Sequence, residues 1–389
     1  MSTYALKAAR FVLPGSLAFG GYLEINEGTF GAWTPERPDG LDVVDLGDAW
    51  VAPGYVDTHV HGFAGHDVMD CDPDGVNEAS LALARRGTTS WVPTTLTQPA
   101  GEIEAACASV WEADQRRDDD FLGARIEGIF LEGPFFTEKH MGAQNPANML
   151  DPSVELFDRW QEAAHGLICK SSLAPERAGS AVYCAALRDR GVVTALGHSA
   201  ATCAEGRAAV AAGATVFVHT YNAMEGLHHR EGGLVGCAMS TTGTYSELIC
   251  DGHHVLPEAI RALVSAKGWE HVAVISDCLR CGGMPDGDYY LGDLPIRLKG
   301  ETARLIAEDG TVGNLAGAAT TVASGVKNLV DWGVATAEQA IRMGTEVAAA
   351  SCGIDDICGS MLLGRAADFN VLNPDLTVAA TYVSGLLVI

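Results

Sequence analysis

Between residues 54 and 276 the sequence alternates between two periodicities, and this limits the folds open to it. Short apolar runs of β type fall at 54–59, 90–94, 125–131, 167–173, 192–196, 215–219, 247–250 and 272–276. Alanine-rich stretches with helical spacing lie between them, among them 76–86, 178–190, 202–212 and 257–267. Such alternation reads as short strands separated by helices. Eight strands with intervening helices are the count of a (β/α)8 barrel of TIM type, an α/β fold. No solenoid repeat and no low-complexity linker interrupts the pattern.

The two ends read differently. Runs at 11–13, 21–25 and 41–46, and again at 369–372 and 377–388, are short and β-like, broken by Gly, Pro, Asn and Asp. Both termini are therefore expected to build one small β-sandwich domain. The predicted organisation is residues 1–52 and 359–389 in that domain and 53–358 in the barrel. A length of 389 residues suits one large α/β domain with a smaller companion.

Charge excludes some functions. With 50 acidic and 25 basic residues the net charge is −25, so nucleic acid is not an expected partner. A small phosphorylated ligand stays admissible, since it needs only one or two local cations. Eleven cysteines, an odd number scattered through a long chain, do not form a disulfide framework and point to a reducing cytoplasm. No apolar run reaches the roughly 18 residues of a spanning helix, so no membrane association is expected. Lys7 and Arg10 before Phe11, Val12 and Leu13 faintly resemble a leader, but Pro14 and Gly15 break the run at once.

In barrels of this kind catalytic groups sit at the C-terminal ends of the strands. Here the first predicted strand ends in His59-Val60-His61, the third in Glu132, the fifth in His198, the sixth in His219 and the eighth in Asp277. His59 and His61 are two apart on a strand, so both rings face one side and can share a metal. Alone, an HxH is as readily two polar strand residues; further His, Glu and Asp at equivalent strand ends make a metal site the better reading. Glu132 could instead be a helix-capping acid and His198 a satisfied surface histidine. Asp277 ends the apolar run Val272-Ala273-Val274-Ile275-Ser276, where a carboxylate is costly unless paired or coordinated. Beside a metal it would take a proton from an attacking water and return it to a leaving amine. The donor set suits zinc and tolerates iron or manganese, one or two ions per chain. Lys170 could be a carboxylated metal bridge, but it lies deep in the fourth strand, which leaves Glu132 as the better bridge. Cys278 and Cys281 form a lone CxxC beside Asp277, a weak metal or redox signal without a second pair.

Several segments carry a resemblance. They include Glu132-Gly133-Pro134-Phe135, Gly142-Ala143-Gln144-Asn145-Pro146, Leu173-Ala174-Pro175-Glu176 and Gly197-His198-Ser199. Further along come His219-Thr220-Tyr221-Asn222-Ala223-Met224, Asp251-Gly252-His253-His254 and Leu315-Ala316-Gly317. In order and spacing, from Pro53 to Asp368, the chain resembles the N-acetylglucosamine-6-phosphate deacetylases of the amidohydrolase superfamily. The resemblance implies that Glu132, His198 and His219 hold one metal, that His59 and His61 serve a second, and that Asp277 is the acid/base. It implies that Asn222, Ala223, Arg230 and His254 hold the sugar phosphate and that Ala143, Leu315, Ala316 and Gly317 line the substrate. It also implies a homodimer in amino-sugar catabolism and cell-wall sugar recycling, with Arg230, 11 residues after His219, reaching the neighbouring subunit's site. Three positions depart from the family. Gln144 stands where many members have His, which puts a phosphate-side contact in doubt; Cys278 replaces a usual Ala, and Ala318 a usual Ser. Amide hydrolysis fits the donor set, because a metal lowers the pKa of bound water to about 7 and polarises a carbonyl. The alternatives are an N-acetylgalactosamine-6-phosphate deacetylase, a dipeptidase-like or cyclic-amide hydrolase, or a catalytically silent metal-binding protein on the same fold.

Overall fold

A computed structural model describes residues 3–118 and 120–388. Its centre is a set of eight parallel strands in chain order: Tyr55–Val60, Thr88–Pro93, Ile129–Phe135, Ile168–Leu173, Val193–Leu196, Ala214–Phe217, Tyr245–Ile249 and Val272–Ile275. The third to the eighth form one continuous sheet, and the first and second pair in another. Hydrogen bonds join the two sets at both sides. Thr95 N–H donates to the Phe130 carbonyl at 2.9 Å, and Asp277 N–H donates to the His59 carbonyl at 2.8 Å. All eight predicted strands are present, with ends shifted by at most four residues.

The sequence explains these elements locally. Val272, Ala273, Val274 and Ile275 are all buried, as expected of a strand covered on both faces. The helix Cys203–Ala212 begins at a capping box in which Thr202 accepts from Glu205 N–H and Glu205 reaches back. Pro73 opens Pro73–Ala84 behind an Asp72 cap, each cap contributing about 1 kcal/mol. Helices and strands enclose an apolar layer containing Trp91, Phe135, Phe157, Trp160, Tyr183 and Phe217. Each large apolar side chain buried there contributes about 1.5–3 kcal/mol.

Strands from both termini meet in one sheet. Its order is Leu386–Leu387, Val378–Val383, Phe369–Leu372, Trp50–Pro53, Arg10–Leu13 and Ser16–Phe19. A second sheet orders Thr29–Thr34, Tyr22–Asn26, Tyr4–Lys7 and Val43–Asp45. Leu6, Phe11, Leu23, Ile25, Phe30, Val51, Phe369 and Val371 fill a core of their own. Arg125 bonds Asp368 at 2.6 Å and so ties the last segment back to the parallel strands.

One element was not foreseen. After the eighth strand, Gly287–Leu291, Leu294–Lys299, Thr302–Ile306 and Val312–Ala318 form an antiparallel four-stranded sheet. Its last strand brings Leu315, Ala316 and Gly317 back to the end of the eighth strand, where Ala318 N–H donates to the Asp277 carbonyl at 2.8 Å.

Candidate active site

The side chains at five of the strand ends converge. Glu132 Oε1 lies 3.0 Å from His219 Nε2, 3.4 Å from His198 Nε2 and 3.3 Å from His59 Nε2. The facing Nε2 atoms of His198 and His219 are 3.1 Å apart. His61 Nε2 sits 3.3 Å from Glu132 Oε2 and 3.3 Å from Asp277 Oδ1, and His59 Nε2 is 3.4 Å from the same Asp277 oxygen. All six side chains are buried.

The backbone at these ends is unusual. His198, His219 and Asp277 have φ of 45°, 25° and 51°, a left-handed region that side chains other than Gly seldom occupy. Such strain persists only where surrounding structure enforces it, and it concentrates at functional sites. His198 itself makes the tight turn, and Gly197 before it serves close packing: a Cβ there would meet Val218 Cγ2 at 2.1 Å. That contact lets the fifth and sixth strands approach until their histidines face each other.

The donor atoms fit a divalent metal. Around a tetrahedral zinc with bonds of about 2.0–2.1 Å, ligand atoms sit about 3.3–3.4 Å apart. The Glu132, His198 and His219 atoms span 3.0–3.4 Å. His59 Nε2 is fully buried and has no hydrogen-bond partner, a cost that a cation would remove. Two triplets have ligand atoms within 4.8 Å of one another: His59, His61 and Asp277, and His59, Glu132 and His219. Three rings are also fixed from behind or beside. His61 Nδ1 faces the Thr94 carbonyl at 3.2 Å, His198 Nδ1 faces the His140 carbonyl at 3.0 Å, and Phe136 stacks on His198. His59 Nδ1 faces Glu247 Oε2 at 2.9 Å.

The electrostatics point the same way. Burial opposes charging His59, but the carboxylates of Asp277, Glu132 and Glu247 outweigh it and push its pKa up to about 9. His61 is likewise opposed by burial and pushed up to about 10 by Asp277 and Glu132. Burial also opposes the charge on Glu132, yet His59, His198 and His219 hold it well below the usual carboxylate range. The pocket is a field built for positive charge.

A cavity opens over this cluster. Ala143, Asn222, Ala223, His254, Leu315, Ala316 and Gly317 all line it, beside His61, Glu132, His198, His219 and Asp277. Arg230 does not; it is exposed and pairs with His229 Nε2 at 2.7 Å. His254 Nδ1 lies 2.6 Å from Asp251 Oδ2 and its Nε2 lies 3.0 Å from the Ala316 carbonyl. Both partners only accept, so both ring nitrogens donate. Burial opposes this charged form, but the Asp251 hydrogen bond and charge raise the imidazole pKa above its ordinary value.

The model of the amidohydrolase family matches residues 50–388. The chain belongs to that family. Within it, the resemblance to the N-acetylglucosamine-6-phosphate deacetylases holds across the chain. Such a deacetylase from Vibrio furnissii is 38% identical over 347 residues, covering 89% of this chain and 85% of the relative. An N-acetylgalactosamine-6-phosphate deacetylase from Escherichia coli O157:H7 is 35% identical, covering 99% of both. The structure of an N-acetyl-D-glucosamine-6-phosphate deacetylase variant from Mycobacterium smegmatis, in complex with N-acetyl-D-glucosamine-6-phosphate, superposes with a TM-score of 0.92 at 30% identity over 100% of both chains.

Sequence reasoning missed several residues of this amidohydrolase site. Leu96, Leu279 and Leu291 line the cavity, as do Gly142 and Gln144 on either side of Ala143. Gln144, expected on the phosphate side, instead donates from Nε2 to Glu132 Oε2 at 2.6 Å and accepts from Thr97 N–H at 2.8 Å. It orients the carboxylate. Lys170 does not join the ligand cluster. Its Nζ pairs with Glu247, donates to the Thr58 carbonyl at 3.2 Å and lies over the Phe130 ring. Glu247 is a further residue the sequence did not single out; it is fully buried on the strand Tyr245–Ile249, where a carboxylate is costly without a partner. Cys278 and Cys281 are buried thiols whose pKa values burial raises, that of Cys281 to about 11, and neither belongs to a converging ligand group among the described residues.

Proposed function

We propose that this amidohydrolase removes the N-acetyl group of N-acetylglucosamine 6-phosphate, giving glucosamine 6-phosphate and acetate. The observation that carries the reading is Asp277 beside two imidazoles that also reach Glu132, in a cavity lined by residues matched to the deacetylases. Glu132, His198 and His219 would hold one divalent metal, and His59 and His61 would serve a second, with zinc favoured over iron or manganese by the N/O donor set. The metal supplies Lewis acidity toward the acetamide carbonyl and acidifies water. Asp277 then does the proton work: its carboxylate takes a proton from the attacking water and gives it to the departing amine. His254, held with both nitrogens donating, places positive charge beside Ala316, where an oxyanion or a phosphate would gain from it.

The remaining assignments follow from the same reading. The eight parallel strands are taken as a closed (β/α)8 barrel over residues 53–358. Residues 1–52 and 359–389 are taken as a separate small sandwich domain. Arg230, exposed in the single chain, is assigned to the phosphate across a homodimer interface. None of the eleven cysteines is in a disulfide, which fits a cytoplasmic enzyme.

The Escherichia coli relative, matched end to end, favours one second reading, the galacto epimer. Measuring kcat/KM for acetate release from both 6-phosphates decides between them. Preference for the gluco substrate is expected; preference for the galacto substrate selects the second reading, and turnover of neither removes both.

A further inference from the structure

Beneath the metal-binding cluster lie two opposite charges that the proposed reaction does not use. Lys170, on the fourth parallel strand, and Glu247, on the seventh, are both fully buried and paired to each other. Isolated, either would be very costly in such surroundings. Replacing a buried pair by apolar groups is often neutral or stabilising, so stability alone does not explain why the pair is there. Its contacts suggest another reason. Glu247 Oε1 takes Lys170, while Oε2 faces His59 Nδ1 at 2.9 Å and His219 N–H at 3.4 Å.

A carboxylate can only accept, so His59 must carry a proton on Nδ1. That leaves Nε2 as the atom aimed at Glu132 and Asp277, and it is the atom with no hydrogen-bond partner. His61 and His198 are anchored to backbone carbonyls, and among the described residues His219 Nδ1 has no partner. His59 alone among these rings is backed by a carboxylate, which raises the donor strength of the opposite nitrogen. Lys170 balances the charge of Glu247. The cluster above therefore keeps the two negative charges of Glu132 and Asp277, without a third acid competing for the cation.

We propose that Glu247, neutralised by Lys170, is the positioning residue that fixes the tautomer of His59 and so sets the affinity of the second cation site. This rests on the two-metal reading above. Three readouts test it: metal content per chain, the dissociation constant of the weaker cation in a zinc titration of the apo protein, and the 15N shifts of the His59 ring. In zinc-loaded wild type the ring is expected to carry its one proton on Nδ1, with Nε2 given to the cation, and the chain to hold two zinc ions. Glu247→Gln can offer oxygen to only one side. It either turns its amide toward His59, which favours the Nε2–H tautomer, or turns it toward Lys170. The weaker site should lose about 10–100-fold in affinity, the usual cost of removing such a partner, while the tighter site is kept.

Should Glu247→Gln fail to fold, the double variant Lys170→Met/Glu247→Leu removes charge and acceptor together. It should fold and show the same loss. Lys170→Met/Glu247→Gln, whose amide oxygen is free to turn to His59, should recover most of it, a recovery that a merely structural role would not give. Wild-type protein holding a single zinc overturns the two-metal reading itself. Two zinc ions in wild type, with unchanged weak-site affinity in the Met/Leu variant, overturns the role of Glu247.

Discussion

Replacing Asp277 by Asn isolates the proton-transfer role from the fold. The main chain at this position is held independently of the side chain: its N–H donates to His59 and its carbonyl accepts from Ala318, each at 2.8 Å. Asn keeps the size and one acceptor oxygen, so the variant should fold. What it loses is the ability to take a proton. The carboxylate stands 3.3–3.4 Å from two imidazole nitrogens and is otherwise almost closed off by protein. Among the described residues lining the cavity the one other carboxylate is Glu132, which is more deeply buried and held by Gln144. The acid/base step should therefore slow by at least about 100-fold, which is about 2.7 kcal/mol of barrier. The assay is acetate release from N-acetylglucosamine 6-phosphate at saturating substrate, with metal content measured on the same sample. The Glu132, His198 and His219 site should keep its ion. Turnover within about tenfold of wild type, with metal retained, would refute the assignment of Asp277.

Two further outcomes are expected. Arg230→Met should leave thermal stability unchanged, because the side chain is exposed, and should raise KM strongly for the phosphorylated sugar but little for free N-acetylglucosamine; equal effects on both would remove Arg230 from the phosphate. His59→Asn combined with His61→Gln should lower metal content from two toward one per chain, read by elemental analysis, and leave the Glu132 site occupied.

The strands and the site were legible for one physical reason. A strand buried on both faces must be apolar, so Val272-Ala273-Val274-Ile275 announces itself, and a carboxylate at its end stands out. Glu247 was hidden by a boundary error of two residues. With the strand read as starting at Glu247, the acid belonged to its entry; the strand starts at Tyr245, which carries Glu247 into the interior. Lys170 was located correctly as deep, but its partner could not be found without the pairing of strands distant in sequence. The antiparallel sheet over 287–318 escaped because its strands are half exposed and broken by short polar turns, a pattern that also fits a loop. Gln144 shows the reverse case. Its position in a motif suggested the phosphate, whereas its amide binds Glu132 because Thr97 N–H fixes which end of the amide faces the carboxylate.

Metal dependence of the hydrolysis tests the central claim most directly. Protein stripped by a chelator is titrated with zinc while acetate release from N-acetylglucosamine 6-phosphate is followed. The stripped protein should be inactive, and the rate should appear with the first equivalents bound per chain. Full turnover by metal-free protein, or no acetate from the zinc-loaded protein, would contradict the assignment of this cluster as the hydrolytic centre.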